Sequence, residues 1–240
     1  MNKLKKKPLR SRRYLFEGEG SNPSLKFKAT YLRCLAWRVP HLILKIFLKG
    51  IGLFEQGFNN ALSVKLRNRE FKVAGLPKEL EGLRILFMSD LHFEESQELV
   101  DVIVDTINQS KVDLCLFGGD FQRERSKFLD PAIQGMKRIV DAVEAPLGFY
   151  AVLGNHDTIE LVPELERIGV RVLMNESMKL ERKSSPFYVV GVDDPFYFKF
   201  DDIEKAFENV PNNSFKIFLS HTPDLYESAS GKDVNFYLCG

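Results

Sequence analysis

Apolar residues fall in short blocks that end abruptly in polar clusters, and the spacing of the blocks changes along the chain. Arg84-Ile85-Leu86-Phe87-Met88, Val112-Asp113-Leu114-Cys115-Leu116-Phe117 and Gly148-Phe149-Tyr150-Ala151-Val152-Leu153 are runs of strand length. Helices fit the stretches between and after them, at about 95–109, 130–143 and 161–168. This βαβαβα alternation predicts a largely parallel sheet with its sites at the carboxyl ends of the strands. Beyond it, short strands near 171–174, 178–182 and 187–192 follow without intervening helices. A helix near 201–209, a strand at 215–220, a short helix after Pro223 and a strand at 234–239 complete the pattern. A second sheet packed on the first explains that change better than one continued sheet.

Upstream, Val64, Leu66, Phe71 and Val73 alternate enough to suggest an edge strand or hairpin. Residues 41–54 read as one helix, with Lys45 and Lys49 on one side and Ile43, Phe47, Ile51 and Phe54 opposite. Its apolar positions are too interrupted for a bilayer span, which needs ~20 mostly apolar residues. His41, beside Pro40, reads as a helix-start residue and not a ligand. The expected organisation is 1–60 as a basic arm and amphipathic helix, then 61–240 as one α/β domain.

Charge sharpens that division. Residues 1–49 hold thirteen of the 34 Lys and Arg and two of the 33 Asp and Glu, which leaves 21 bases against 31 acids downstream. The head is basic and the body acidic. Met1 to Arg13 carries seven of those bases, the stretch as far as Pro23 has few large apolar residues, and together they read as a mobile basic arm that no secretory signal follows. Such a head is drawn to an anionic membrane surface, with lysines beside the headgroups, or to nucleic acid, for which the acidic body is a poor surface. Cys34, Cys115 and Cys239 show no paired spacing, as in a reducing compartment, so the expected location is cytoplasmic, peripheral on the inner face of the membrane.

Four strand ends carry chemistry. They are Ser89-Asp90-Leu91-His92, Gly118-Gly119-Asp120, Gly154-Asn155-His156-Asp157 and Ser220-His221-Thr222-Pro223-Asp224. Asp90 and His92 stand two apart, so on a continuing strand they leave one face and can share a metal. Asp120 follows two glycines that allow a tight turn and put a carboxylate where it can bridge two ions. Asn155 offers an amide oxygen and His221 a nitrogen, a mixed set that suits Mn, Fe or Zn. Two such ions would hold a phosphate by two oxygens and lower the pKa of an attacking water. His156 is placed to give the leaving group its proton, with Asp157 to orient the imidazole. Asp193-Asp194-Pro195, followed by Phe196, Tyr197 and Phe198, is either an acidic turn before an apolar docking segment or a loop that touches substrate.

In this order the four motifs resemble the calcineurin-like metallophosphoesterases, in the bacterial branch with a membrane-directed N-terminus, from about Arg84 to Gly240. The resemblance implies a four-layer αββα sandwich of two mixed sheets and a dinuclear metal site. It implies Asp90, His92 and Asp120 on one metal, Asp120, Asn155 and His221 on the other, and His156 as the catalytic histidine. Relatives in this branch include enzymes that cleave the pyrophosphate of UDP-diacylglucosamine. The expected function is therefore hydrolysis of a phosphate ester or pyrophosphate, on a phosphorylated small molecule or lipid. The family's closing Gly-His-x-His would begin where this sequence stops, at Tyr237-Leu238-Cys239-Gly240. The alternative reading is accordingly an impaired fragment or remnant, a non-enzymatic, membrane-associated metal-binding protein. Arg123 and Arg125 stand near the arginine often found after the Gly-Asp motif, at another offset.

Overall fold

The structure, a computed structural model, describes residues 13, 17, 40, 42–94, 96–108, 110–123 and 128–240. His41, Arg125 and all of the basic arm but Arg13 and Glu17 lie outside those residues. The first sheet is formed by β1 (Ile85–Met88), β2 (Leu114–Phe117), β3 (Phe149–Ala151) and β4 (Val170–Val172), in that order and all parallel. Every connection in it carries a helix. With α1 (Leu53–Ala61) placed ahead of the sheet, these are α2 (Gln97–Ile107), α3 (Asp130–Ala142) and α4 (Leu161–Arg167). Ser96 starts α2 by accepting the Leu99 N–H at 3.2 Å, and Pro131 sits in the first turn of α3, where no N–H is needed.

The second sheet has the order β5 (Glu176–Arg182), β6 (Ser185–Gly191), β7 (Phe215–Leu219) and β8 (Phe236–Leu238). β5 and β6 form an antiparallel hairpin, whereas β6–β7 and β7–β8 are parallel. Helices α5 (Ile203–Ala206) and α6 (Tyr226–Ser230) complete the chain.

Side-chain alternation creates the layers. In β2, Leu114 and Leu116 join Val152, Val189 and Ile217 between the sheets, while Cys115 and Phe117 turn to Val100, Met136 and Leu165 of the helices. On the far side Val190 and Phe218 pack against Ala206, Phe207 and Ala229. A strand buried on both faces has no polar alternation to show, which is why β2 is apolar throughout and β7 is apolar but for Lys216, whose ammonium donates to the Asn212 and Lys232 carbonyls at 2.7 and 2.9 Å. The result is the expected αββα sandwich.

Four expectations need correction. Only the second sheet is mixed, because every crossover in the first passes through a helix. The strand near 171–174 pairs with β3 as the fourth strand of the first sheet, following the crossover through α4, so the second sheet starts at β5. Residues 64–73 form no strand: Lys65 to Glu70 are exposed, and of this stretch only Val64 and Val73 pack against the core clusters. The helix expected at 41–54 is broken by Gly52, whose φ of 75° is left-handed, into helical residues 42–50 and α1. That break sets the Phe54 ring 5.3 and 5.1 Å from the Lys45 and Lys49 ammonium groups, not opposite them. Among the described residues no helix is long and apolar enough to cross a membrane.

Candidate metal centre

Beyond their last ladder bonds, β1 and β2 stay together. Asp90 N–H donates to the Gly119 carbonyl at 3.0 Å, and His92 N–H to the Asp120 carbonyl at 3.1 Å. Asp90, His92 and Asp120 all take left-handed backbone conformations, with φ of 57°, 39° and 56°. Non-glycine residues adopt these sparingly, and here each is a residue whose side chain turns into the site. One ligand atom from each of the three lies within 4.8 Å of the others. The Asp120 Oδ2 atom is 3.8 Å from His92 Nε2 and 3.5 Å from His221 Nε2, and His221 Nε2 is 3.2 Å from Asn155 Oδ1. Asp90, His92, Asp120, Asn155 and His221, from four strand ends, thus converge on one place.

These donors fit a divalent cation. His92 Nδ1 faces the Gln122 carbonyl at 2.8 Å, and His221 Nδ1 faces the Gly118 carbonyl at 2.8 Å. A carbonyl only accepts, so both Nδ1 atoms carry the proton and both Nε2 atoms are left to ligate. Charge points the same way. Burial works against a protonated His221, but the hydrogen bond and charge of Asp120 outweigh it and raise the imidazole pKa to about 9. For Asp120 burial pushes the pKa up, yet His221 and the His156 N–H prevail and lower it. A site that holds a proton so firmly in metal-free protein holds a cation by the same field.

The loops close because they are glycine at the contact. A Cβ on Gly154 would stand 2.7 Å from the Asp120 nitrogen and overlap its carboxylate, and one on Gly119 would stand 2.9 Å from the Gly154 Cα. The two strand ends can approach this closely only with no side chain between them.

His156 sits at the rim. Its N–H donates to Asp120 Oδ1 at 2.9 Å, its ring meets that of His92 edge-on at 5.6 Å between centroids, and its Nδ1 lies against the Arg123 carbonyl. That leaves Nε2 as the atom able to pass a proton. Asp157 does not orient it. The Asp157 carboxylate is fully buried and accepts four backbone N–H groups, those of Gly154, Asp120 and Phe121 at 2.8 Å and Gln122 at 3.1 Å. It binds the two metal loops to each other. Burial pushes its pKa up to about 6, against those donors, so it is ionised at neutral pH as four N–H groups require.

Asp193 and Asp194 are buried and build their own turn, the Asp194 carboxylate accepting the N–H groups of Tyr197 at 2.7 Å and Phe198 at 2.6 Å. This is the acidic-turn reading, with Phe196 and Tyr197 left exposed beyond it. Arg123 offers the centre its carbonyl. Not expected were the carbonyls of Gly118 and Gln122, which no side-chain pattern reveals, and Arg13. The last is fully buried among these loops, as Glu17 is in part, so these two residues at least are seated in the body and are not part of a mobile arm.

Comparison with known proteins agrees with this geometry. The model of the calcineurin-like phosphoesterases matches residues 83–237, and the chain belongs to that family, which is metal-dependent. It is 26% identical over 173 residues to the uncharacterized metallophosphoesterase YkoQ of Bacillus subtilis, covering 69% of this chain and 62% of that protein. A transmembrane protein with metallophosphoesterase domain from Danio rerio is 26% identical over 202 residues, 76% of this chain and 45% of the relative. The UDP-2,3-diacylglucosamine pyrophosphatase LpxG of Chlamydia trachomatis is 38% identical over 87 residues, 34% of this chain and 26% of that enzyme. The chain spans less than two-thirds of the length of each of these relatives.

Proposed function

We propose that the protein hydrolyses a phosphate ester or pyrophosphate on a substrate seated in an anionic membrane, with two divalent cations at the four strand ends. The observation that supports this most is the convergence of Asp90, His92, Asp120, Asn155 and His221 with both imidazoles held in the ligating tautomer. Bound there, such cations polarise a phosphoryl oxygen and lower the pKa of a water. The chain's own part is then positioning and proton transfer. Asp120 fixes the two ligand groups relative to each other, and its Oδ1 holds the His156 backbone. His156, with Nδ1 on the Arg123 carbonyl, delivers a proton from Nε2 to the leaving oxygen. Mn, Fe or Zn all suit the donors.

Membrane seating is supported by the helical residues 42–50 and α1, which bury nothing in the domain. Ile43, Ile46 and Phe47 are about three-fifths exposed, beside Lys45 and Lys49. Apolar side chains flanked by lysines suit the headgroup boundary, and the basic head adds attraction to anionic lipid. The location proposed is the cytoplasmic face of the membrane. The similarity to LpxG supports a lipid pyrophosphate of the UDP-diacylglucosamine class as substrate.

One assay tests both parts. The full chain with Mn(II) is given an aryl phosphate, an aryl diester and UDP-diacylglucosamine in vesicles containing anionic phospholipid. Chelator-sensitive turnover is expected, fastest on the vesicle-borne substrate. Replacing Lys45 and Lys49 by Glu should slow only that last reaction, by about thirtyfold or more, since two positive charges near the surface are lost at ~1 kcal/mol each and two negative ones are gained. Metal binding with no turnover of any substrate would contradict the enzymatic reading and favour a metal-binding protein without activity.

A further inference from the structure

Arg13 belongs to the basic head, yet its side chain is wholly inside the domain, on the loop that carries Asn155 and His156. Its Nη2 atom donates to the Asp157 carbonyl at 2.7 Å and reaches the Gly154 carbonyl at 3.5 Å. Nη1 pairs with Asp193, Nε donates to Glu17 at 2.8 Å, and the guanidinium lies 3.9 Å over the Phe198 ring. Glu17 turns its other oxygen to the Ile159 N–H at 3.0 Å. Arg13 and Glu17 therefore grip segment 154–159 at both ends, with Asn155 and His156 between the grips.

A buried arginine is tolerated only when its charge and its N–H groups are all met, and here two carboxylates and two carbonyls meet them in the plane of the fork. Burial opposes the charge, and Asp193 and Glu17 more than restore it. Of the five donors to the centre, only Asp90 and Asp120 bring charge; Asn155, like the two ligating imidazoles, brings none. Its amide oxygen ligates only as well as its loop is placed, whereas the carboxylates attract a cation from imperfect positions.

We infer that Arg13 is a positioning residue for the metal centre: clasped with Glu17, it sets the loop that presents Asn155, so Arg13 and Glu17 are part of the active site. The inference rests on the metal-site reading. Its consequence is that displacing Arg13 and Glu17 weakens the metal held through Asn155 and His221 while sparing the one held through Asp90 and His92.

The test uses the full chain with Mn(II), the bound ion counted by electron paramagnetic resonance across a titration. Arg13→Lys keeps a cation beside Asp193 but loses the flat fork. It should weaken one of the two affinities ~10–100-fold, the usual cost of losing an outer-shell partner, and leave the other within about twofold. The weakened affinity should be the one that Asn155→Ala weakens. Arg13→Ala should show the same loss and recover part of it with added guanidinium ion, an effect that a general loss of stability would not produce. Wild-type affinities at both positions in Arg13→Lys would overturn the inference. So would an equal fall at both that tracks thermal stability and ignores guanidinium. If the wild-type chain itself bound no Mn(II), the metal reading would fall first, and with it the inference.

Discussion

Replacing Asp120 by Asn is expected to empty both proposed metal positions and to lower hydrolysis by more than the ~10–100-fold typical of an outer-shell partner. Asp120 stands between the two imidazoles, with Oδ2 at 3.8 Å from His92 Nε2 and 3.5 Å from His221 Nε2, and Oδ1 on the His156 N–H. An amide in its place has no good orientation. With nitrogen at the Oδ2 position, an NH2 group faces the cations. With nitrogen at Oδ1, it confronts the His156 N–H and lifts that residue away. The charge lost is also the one that raises the His221 pKa, so the His221 proton should become easier to remove in metal-free protein. Bound Mn(II) and turnover check the first part, and circular dichroism establishes that the fold survives. A variant that retains both ions would refute the bridging role.

The second large effect is on stability. Asp157→Ala strands four buried N–H groups, on Gly154, Asp120, Phe121 and Gln122. A buried unsatisfied donor costs about 1–3 kcal/mol, and whole domains are stable by only about 5–15 kcal/mol. Even with partial relaxation the variant should lose most of its stability and fail to hold metal. Asp157→Asn keeps one acceptor and points a donor at the remaining N–H groups, so it should be destabilised as well, by less. Urea unfolding measures both. A wild-type midpoint for Asp157→Ala would contradict the role of this carboxylate as the bond between the loops.

That role marks the limit of what the sequence discloses. Asp90, His92, Asp120, Asn155 and His221 are legible because a carboxylate, amide or imidazole at the end of an apolar run has few structural reasons to be there. Asp157 has the same signature, and spacing cannot tell a carboxylate facing the neighbouring imidazole from one facing four backbone N–H groups. Arg13 was out of reach for a different reason. Its partner Asp193 is 180 residues away, and a single base among many in a basic arm carries no periodicity. The strands were legible from their apolar runs, but not their pairing: β4 joins the first sheet through a crossover that a short strand does not announce. Gly52 was visible as a glycine, whereas its left-handed turn and the return of Phe54 to the lysines depend on conformation.

The central claim is that four strand ends assemble one dinuclear centre around Asp120. Anomalous scattering from crystals of the protein soaked in Mn(II), recorded at the manganese edge, tests it most directly. Two peaks ~3.5–4 Å apart are expected, as in two-metal phosphoryl-transfer sites, one beside Asp90 and His92, the other beside Asn155 and His221, with Asp120 between them. No peak at Asp120, or manganese bound only elsewhere on the acidic body, would contradict it.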